Sequence, residues 1–245
     1  MVQTAINYSG KVVLVTGAGR EPGCALSVDF SRWGAVSASN DLNPLGLEET
    51  MQSILEAGGK GKAYLFDVAK RMPVQALVDQ VLEDWGQIDI LVNCATVAPS
   101  QSILEMDEWD WHRTIDVNLS GVFFTTQQVS RAMRNQGGGV IINIAGWYGD
   151  GPLLKRNHAA FLSSQLGMAG LTQSAAEEFE KDHIRVNQVC LGLTDVLANR
   201  IEPALQEKLL ITDLAPKDRL LRIVHYLCSP LAAGLTGQVV NLESA

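Results

Sequence analysis

The side chains best placed for chemistry come early in the chain. Thr16-Gly17-Ala18-Gly19-Arg20-Glu21-Pro22-Gly23 follows the apolar run Val12–Thr16 and opens onto a helix-length stretch. A glycine-rich turn between a strand and a helix points backbone amides and the positive helix end at a diphosphate. Gly17 and Gly23 punctuate that turn, and Arg20 sets a cation in it. Asp41 follows 18 residues after Gly23, in SASND at the end of the second strand candidate. A carboxylate there can hold the hydroxyls of an adenosine ribose and repels the extra phosphate of NADP, so the expected cofactor is NAD. Other chemistries lack their residues. Cys24, Cys94, Cys190 and Cys228 lie far apart with no CxxC, and the histidines do not cluster, which predicts neither a metal site nor a disulfide framework.

The elements that must position these groups alternate along the chain. Strand candidates are Val12–Thr16, Ala35–Asn40, Lys62–Phe66, Ile88–Asn93, Val140–Ile144, Arg185–Val189 and Gln238–Leu242. Several are continuously apolar (VVLV, IDILV, VIINI), the pattern of strands covered on both faces. Helix-length segments fill the gaps at 22–33, 44–57, 70–85, 107–135, 158–181, 197–210 and 217–228. This alternation predicts right-handed βαβ units and a parallel sheet, one doubly wound α/β domain over residues 1–245.

Composition narrows the class. The chain is 47% hydrophobic with a net charge of −8, enough apolar material for a core and the wrong sign for nucleic acid or anionic membranes. The start, MVQTAINYSGK, has no apolar signal core, and no run reaches a membrane span, so a cytoplasmic location is expected.

At this point the chain resembles the short-chain dehydrogenase/reductase family over almost its whole length. TGAGREPG is similar to the family's TGxxxGxG. LVNCAT at 91–96, DVNLSGVFF at 116–124, GGVIINIAGWYG at 138–149, IRVNQVCLG at 184–192 and LTGQVVNLE at 235–243 follow in the family's order. The resemblance implies a doubly wound, seven-stranded parallel sheet flanked by helices (α/β, Rossmann), adenine-side roles for Asp67 and Val68, a cofactor contact at Asn93, and assembly into dimers or tetramers. It also implies a catalytic set of asparagine, serine, and Tyr-x-x-x-Lys on one helix face. Tyrosine exchanges the proton, lysine lowers its pKa and holds the nicotinamide ribose, and serine stabilises the developing charge.

The departures from that pattern are specific. Asn118 matches the asparagine, but Gly146, Phe161 and Gln165 stand where the serine, tyrosine and lysine belong. A shifted motif does not rescue the set: Tyr8, Tyr64, Tyr148 and Tyr226 are followed four places on by Val12, Val68, Pro152 and Pro230. Glu21 replaces the turn's middle glycine, setting bulk and negative charge beside a diphosphate. Glu21 also suits a first helical turn with Pro22 near N1, a role that coexists with weaker cofactor binding. Leu191-Gly192 replaces Pro-Gly, Cys94-Ala95-Thr96 departs from Asn-Ala-Gly, and Glu243-Ser244-Ala245 ends the chain where the family has Asp-Gly-Gly.

Replacement acids exist in the loop before the Phe161 helix, where Tyr148, Asp150, Lys155, Arg156 and His158 crowd together, His158 being the best. An ordinary solvated loop is the competing reading. Ser163 and Ser164 read as helix surface, with a hydrogen-bond donor role as the alternative, Cys94 as a small buried thiol, and His112, His183 and His225 as core or surface residues without a nameable partner. Trp109 and Trp111 serve either core packing or a subunit contact. The expectation is therefore a fold kept without its catalysis: the non-catalytic subunit of a hetero-oligomeric NAD-dependent dehydrogenase built with a paralogue. Hydroxyacyl-CoA-type dehydrogenases of anaerobic aromatic degradation, such as hydroxybenzylsuccinyl-CoA dehydrogenase, resemble such an arrangement. The alternatives are an active oxidoreductase using His158 or Tyr148, a homo-oligomer, and a ligand-binding module whose cleft is lined by Phe161, Gln165 and Trp147.

Overall fold

A computed structural model describes residues 7–146, 157–191, 199–200 and 214–242. The strands are β1 (Val12–Thr16), β2 (Val36–Asn40), β3 (Lys60–Tyr64), β4 (Ile90–Asn93), β5 (Gly139–Gly146), β6 (Ile184–Leu191), β7 (Asn199–Arg200) and β8 (Val239–Leu242). All pair in parallel, in the order β3-β2-β1-β4-β5-β6-β8-β7. The seven expected strands are thus present, and the two-residue β7 adds to the edge beyond β8. From β1 the chain winds outward to β3, then returns to pair β4 on the other side of β1. That reversal opens a crevice at the carboxyl ends of β1 and β4, where α/β sheets bind ligands.

The helices are α1 (Gly23–Arg32), α2 (Pro44–Glu56), α3 (Arg71–Trp85), α4 (Glu108–Ile115), α5 (Gly121–Gln136), α6 (Ala159–Phe179) and α7 (Pro216–Cys228). Period-two alternation in β1 divides the core. Val13 and Val15 join Phe30 and Leu227 on the α1/α7 side, whereas Val12 and Leu14 join Val81, Val129 and Met133 on the α3/α5 side. Within the first of these faces His225 of α7 is buried, bonded through Nε2 to Asp29 Oδ2 of α1 (2.6 Å) and through Nδ1 to the Tyr8 hydroxyl (3.0 Å). The partners that the sequence could not name are 196 and 217 residues away in the chain.

Three departures from expectation bear on the sheet edge and the site. β3 begins two residues early and carries Lys60 and Lys62. These bases guard the sheet edge, with Lys60 Nζ over the Trp85 ring (4.7 Å) and Lys62 paired to Asp84 (2.6 Å). The predicted helix 107–135 is interrupted by a π-helical turn, Asp116–Ser120, which carries Asn118. Asn199 and Arg200, expected within a helix at 197–210, form β7; the rest of that segment lies outside the described residues.

Candidate active site

The crevice is built from two halves, one over β1–β3 and one over β5, β6 and α6. In the first, β1 delivers the chain to Gly17, whose φ is +68°. A Cβ on Gly17 would come within 2.6 Å of the Ala95 amide nitrogen, and one on Gly23 within 2.3 Å of the Gly17 carbonyl. Both glycines are therefore required for the turn to fold against β4. Thr16 Oγ1 ties the two loops together by accepting from the amides of Cys94 (3.1 Å) and Ala95 (3.3 Å).

Asp41 stands at the end of β2, facing the turn. Its Oδ2 accepts from the Gly19 N–H (2.9 Å) and its Oδ1 from the Asn43 N–H (2.9 Å), which fixes the carboxylate at the crevice mouth. Arg20 reaches across and donates through Nη2 to the Thr96 carbonyl. Asp67 accepts from the Ala69 N–H (3.0 Å) and faces Arg113 (3.6 Å). Among the described residues the amides of Arg20 and Glu21 have no hydrogen-bond partner. Glu21 precedes α1, which starts at Gly23 with Pro22 as its N-cap. Its carboxylate instead pairs with Lys217 Nζ of α7 (2.7 Å), a contact that nothing in the local sequence signals.

Asn93 lies below this half, in the sheet. It accepts from Thr125 Oγ1 (2.8 Å) and donates to Asn143 Oδ1 (2.9 Å), and Asn143 in turn donates to Thr172 Oγ1 (2.9 Å). All four are buried, so Asn93 joins β4 and β5 to α5 and α6.

The second half gathers Asn118, Gly146, Phe161 and Gln165. Asn118 on the π turn accepts from the Val97 N–H (2.8 Å) and donates to the Val97 carbonyl (2.8 Å) and Ser164 Oγ (3.1 Å). Gln165 is 2% exposed, and its Oε1 accepts from the Gly146 N–H (2.7 Å). Its Nε2 donates to Ser164 Oγ (3.4 Å), and Ser164 donates to the Phe161 carbonyl (2.6 Å). Phe161 is 0% exposed and belongs to a cluster with Val122, Ala145, Met168 and Cys190. Two expectations are corrected here. Ser164 is not helix surface but a buried relay between Asn118 and Gln165. Phe161 and Gln165 line no cleft, because both are sealed among their neighbours.

His158 precedes α6 at a parallel bridge with Gln101, and its ring lies 6.5 Å from that of Phe161. Its Nδ1 and Gln101 Oε1 are buried without a partner among the described residues. Trp147, Tyr148, Asp150, Lys155, Arg156, Gly192 and 243–245 lie outside the described residues. His112 lies 3.5 Å from Glu108, and His183 caps the turn before β6 with φ +57°. Burial pushes the Cys94 thiol well up, Cys190 up to about 11 and Cys228 up to about 12. Trp109, 70% exposed, does not pack in the core, nor does the exposed Trp111. Among the described residues no group of three or more His, Cys, Asp or Glu gathers to hold a metal, and no helix is long and apolar enough to cross a membrane.

The sequence and the fold as a whole are similar to those of known proteins. The short chain dehydrogenase family matches residues 11–204. The chain belongs to this family of oxidoreductases. An uncharacterized oxidoreductase of Thermotoga maritima is 34% identical over 250 residues, covering 97% of this chain and 98% of that one. The (3R)-3-hydroxyacyl-CoA dehydrogenase of Mus musculus is 30% identical over 247 residues, covering 95% and 94%. Among solved structures, a 7α-hydroxysteroid dehydrogenase complexed with NADH and 7-oxo glycochenodeoxycholic acid superposes with a TM-score of 0.81 at 28% identity, covering 97% of this chain and 94% of that one.

Proposed function

We propose that this short chain dehydrogenase is a non-catalytic subunit, paired with an active paralogue in a mixed oligomer of an NAD-dependent dehydrogenase of hydroxyacyl-CoA type. One observation carries the reading: Gln165 Oε1 holds the Gly146 N–H in a buried bond, at the positions where the family's lysine and serine belong. The polar atoms of Asn118, Ser164 and Gln165 are all spent on one another or on backbone, and Phe161 offers no hydroxyl. Among Asn118, Gly146, Phe161, Ser164 and Gln165 no group is left to donate a proton to a carbonyl oxygen or to hold a nicotinamide ribose. General acid catalysis contributes about 10²–10⁴ in rate and an oxyanion donor about 10²–10³, so their joint absence brings turnover close to background.

The residues of this half therefore do not fit NAD, whereas those around Asp41 do. The outer surface supports association. Ile103, Leu104, Trp109, Trp111, Phe123 and Leu166 are exposed on α4, α5, α6 and the segment before them, with Leu104 at 97%. A hydroxyacyl-CoA partner is favoured by the likeness to an enzyme of that name, and by the precedent of two-subunit dehydrogenases.

The test is co-purification with an active paralogue encoded nearby, read by light scattering, together with NAD-coupled assays of each chain alone. A mixed oligomer whose turnover survives deletion of this chain's Asn118 side chain supports the reading. NAD-dependent turnover by this chain alone overturns it. A second reading keeps an active oxidoreductase with His158 as the acid, and the unpartnered buried Nδ1 favours it. There, His158→Ala abolishes a turnover that the wild-type chain displays alone.

A further inference from the structure

Away from the crevice, α7 packs on α1 around three titratable side chains joined in one line. Tyr8, His225 and Asp29 are hydrogen-bonded in that order, and His225 is 4% exposed. We propose that this line is a proton-linked clamp: His225 takes up a proton as the pH falls, and the clamp then holds α7 to α1 more tightly. The clamp lies outside the crevice and stands whether or not the chain turns over.

The geometry accommodates both protonation states. With the imidazole neutral, Nε2–H donates to Asp29 Oδ2 (2.6 Å) and Nδ1 accepts from the Tyr8 hydroxyl (3.0 Å). With it charged, both ring nitrogens donate, so the bond to Tyr8 must reverse. The Tyr8 hydroxyl then has a second acceptor, the His225 carbonyl at 3.5 Å. The added proton therefore strands no buried group, which is the usual obstacle to charging an enclosed histidine. Tyr8 serves in both states because it holds its own proton throughout: burial, then Cys228 and Asp29 nearby, push its hydroxyl far above the ordinary tyrosine range. Its N–H donates to the Trp33 carbonyl (2.8 Å), which fixes it at the end of α1. Its ring stacks on that of His225 (5.4 Å between centroids), and the Phe30 ring meets the imidazole edge-on (4.9 Å).

Burial opposes a charged imidazole, so the neighbouring charges decide the sign. Asp29, its side chain 13% exposed, is in direct contact. Arg32 of α1 lies 3.7 Å from the other carboxylate oxygen, but its side chain is 60% exposed and water screens it. Arg185 of β6, beside the Cys228 thiol of α7, gives its guanidinium to the carbonyls of Leu227, Ser229 and Ala232. The carboxylate is thus the charge that the imidazole meets at short range. A proton bound more tightly by the folded chain than by the unfolded one adds stability as the pH falls.

Thermal melts of the full chain, Tyr8→Phe and His225→Gln from about pH 8 to about pH 5.5 test this. The Tm advantage of wild type over each variant is expected to grow on acidification, by about 2 °C or more. Titration of the other histidines is common to all three chains and cancels. Tyr8→Phe keeps the ring, so it reads the clamp even if His225→Gln fails to fold, and it strands Nδ1–H once the imidazole is charged. Nitrogen-15 NMR of labelled histidines follows the proton itself, the His225 ring being the buried signal that moves in Tyr8→Phe. The expected result is the Nε2–H tautomer at the upper end of the range and both nitrogens protonated at the lower. A Tm advantage that stays flat or shrinks on acidification overturns the proposal. So does a ring that keeps one neutral tautomer throughout, or one doubly protonated throughout, which would be a fixed ion pair.

Discussion

The two halves of the crevice sit on one sheet, a few strands apart, and treat their polar groups in opposite ways. Around β1 and β2 the backbone leaves amide donors open and holds a carboxylate with spare acceptor capacity. Around β5 and α6 the polar groups of Asn118, Ser164 and Gln165 are buried and paired, Gln165 with Gly146 and Ser164 with Asn118. An unpaired buried polar group costs about 1–3 kcal/mol, so an enzyme's exposed, strained donors are maintained against stability. Once proton transfer is not required, a sequence that pairs those donors with each other is the more stable one. The second half has the look of that relaxation, and the first does not.

The sharpest way to break the contrast is at Phe161. If it is core, Phe161→Ala costs about 3–5 kcal/mol, and each kcal/mol lowers Tm by about 2–4 °C in a chain of this size. Asp41→Asn in the open half should shift Tm by far less, about 1 kcal/mol or below, since it keeps an acceptor for one of the two amides. Thermal melts of the two variants side by side measure the difference. Comparable losses would mean that the halves are equally built into the fold.

Restoring the family set comes next. Gly146 has φ +99°, and a Cβ there would lie 2.1 Å from the Leu191 carbonyl oxygen. Gly146→Ser must therefore move β5 away from β6 at its end, with strain of about 1–3 kcal/mol before any repacking. Phe161→Tyr adds a hydroxyl to a sealed apolar cluster, and Gln165→Lys removes the acceptor from Gly146 and buries a charge. The triple variant should be less stable than wild type and no more active with NAD. A gain of 10-fold or more in NAD-coupled turnover would show that the second half needs only its side chains back.

How much of this was readable beforehand follows from the range of the interactions. β1, the glycine turn and Asp41 are local patterns, an apolar run and a punctuated turn, and they appear in the structure where the residues put them. The positions of Phe161 and Gln165 followed from the family's register, but their surroundings did not. Whether a glutamine in place of a lysine lines a cleft or closes it depends on Gly146, 19 residues away and on another element. Ser164 was misread for a related reason. α6 is apolar on several sides, so helical phase does not separate its inner face from its outer one. Glu21–Lys217 and Asp29–His225 join residues 196 apart, beyond any periodicity. β3 was misplaced because an edge strand with two lysines lacks the apolar run that marks the central ones.

The smallest effect is chemical and distinguishes a sealed half from one that merely closes in its resting state. Cys24 lies partly exposed on α1, on the open side, whereas Cys190 is buried at the end of β6, packed in the Phe161 cluster. Burial raises the Cys190 thiol to about 11, and only the thiolate is nucleophilic. At pH 8 a group with that pKa is thiolate in about one molecule per thousand, and raising the pH toward 11 should increase its reaction steadily. Iodoacetamide at pH 8, followed by peptide mass spectrometry, should therefore label Cys24 well before Cys190. Cys94, also buried and raised, should lag with Cys190. Labelling of Cys190 at the rate of Cys24 would mean that β6 and α6 part frequently in solution. Gln165 and Gly146 would then be a latch that opens, and the contrast between the halves would be one of population rather than of structure.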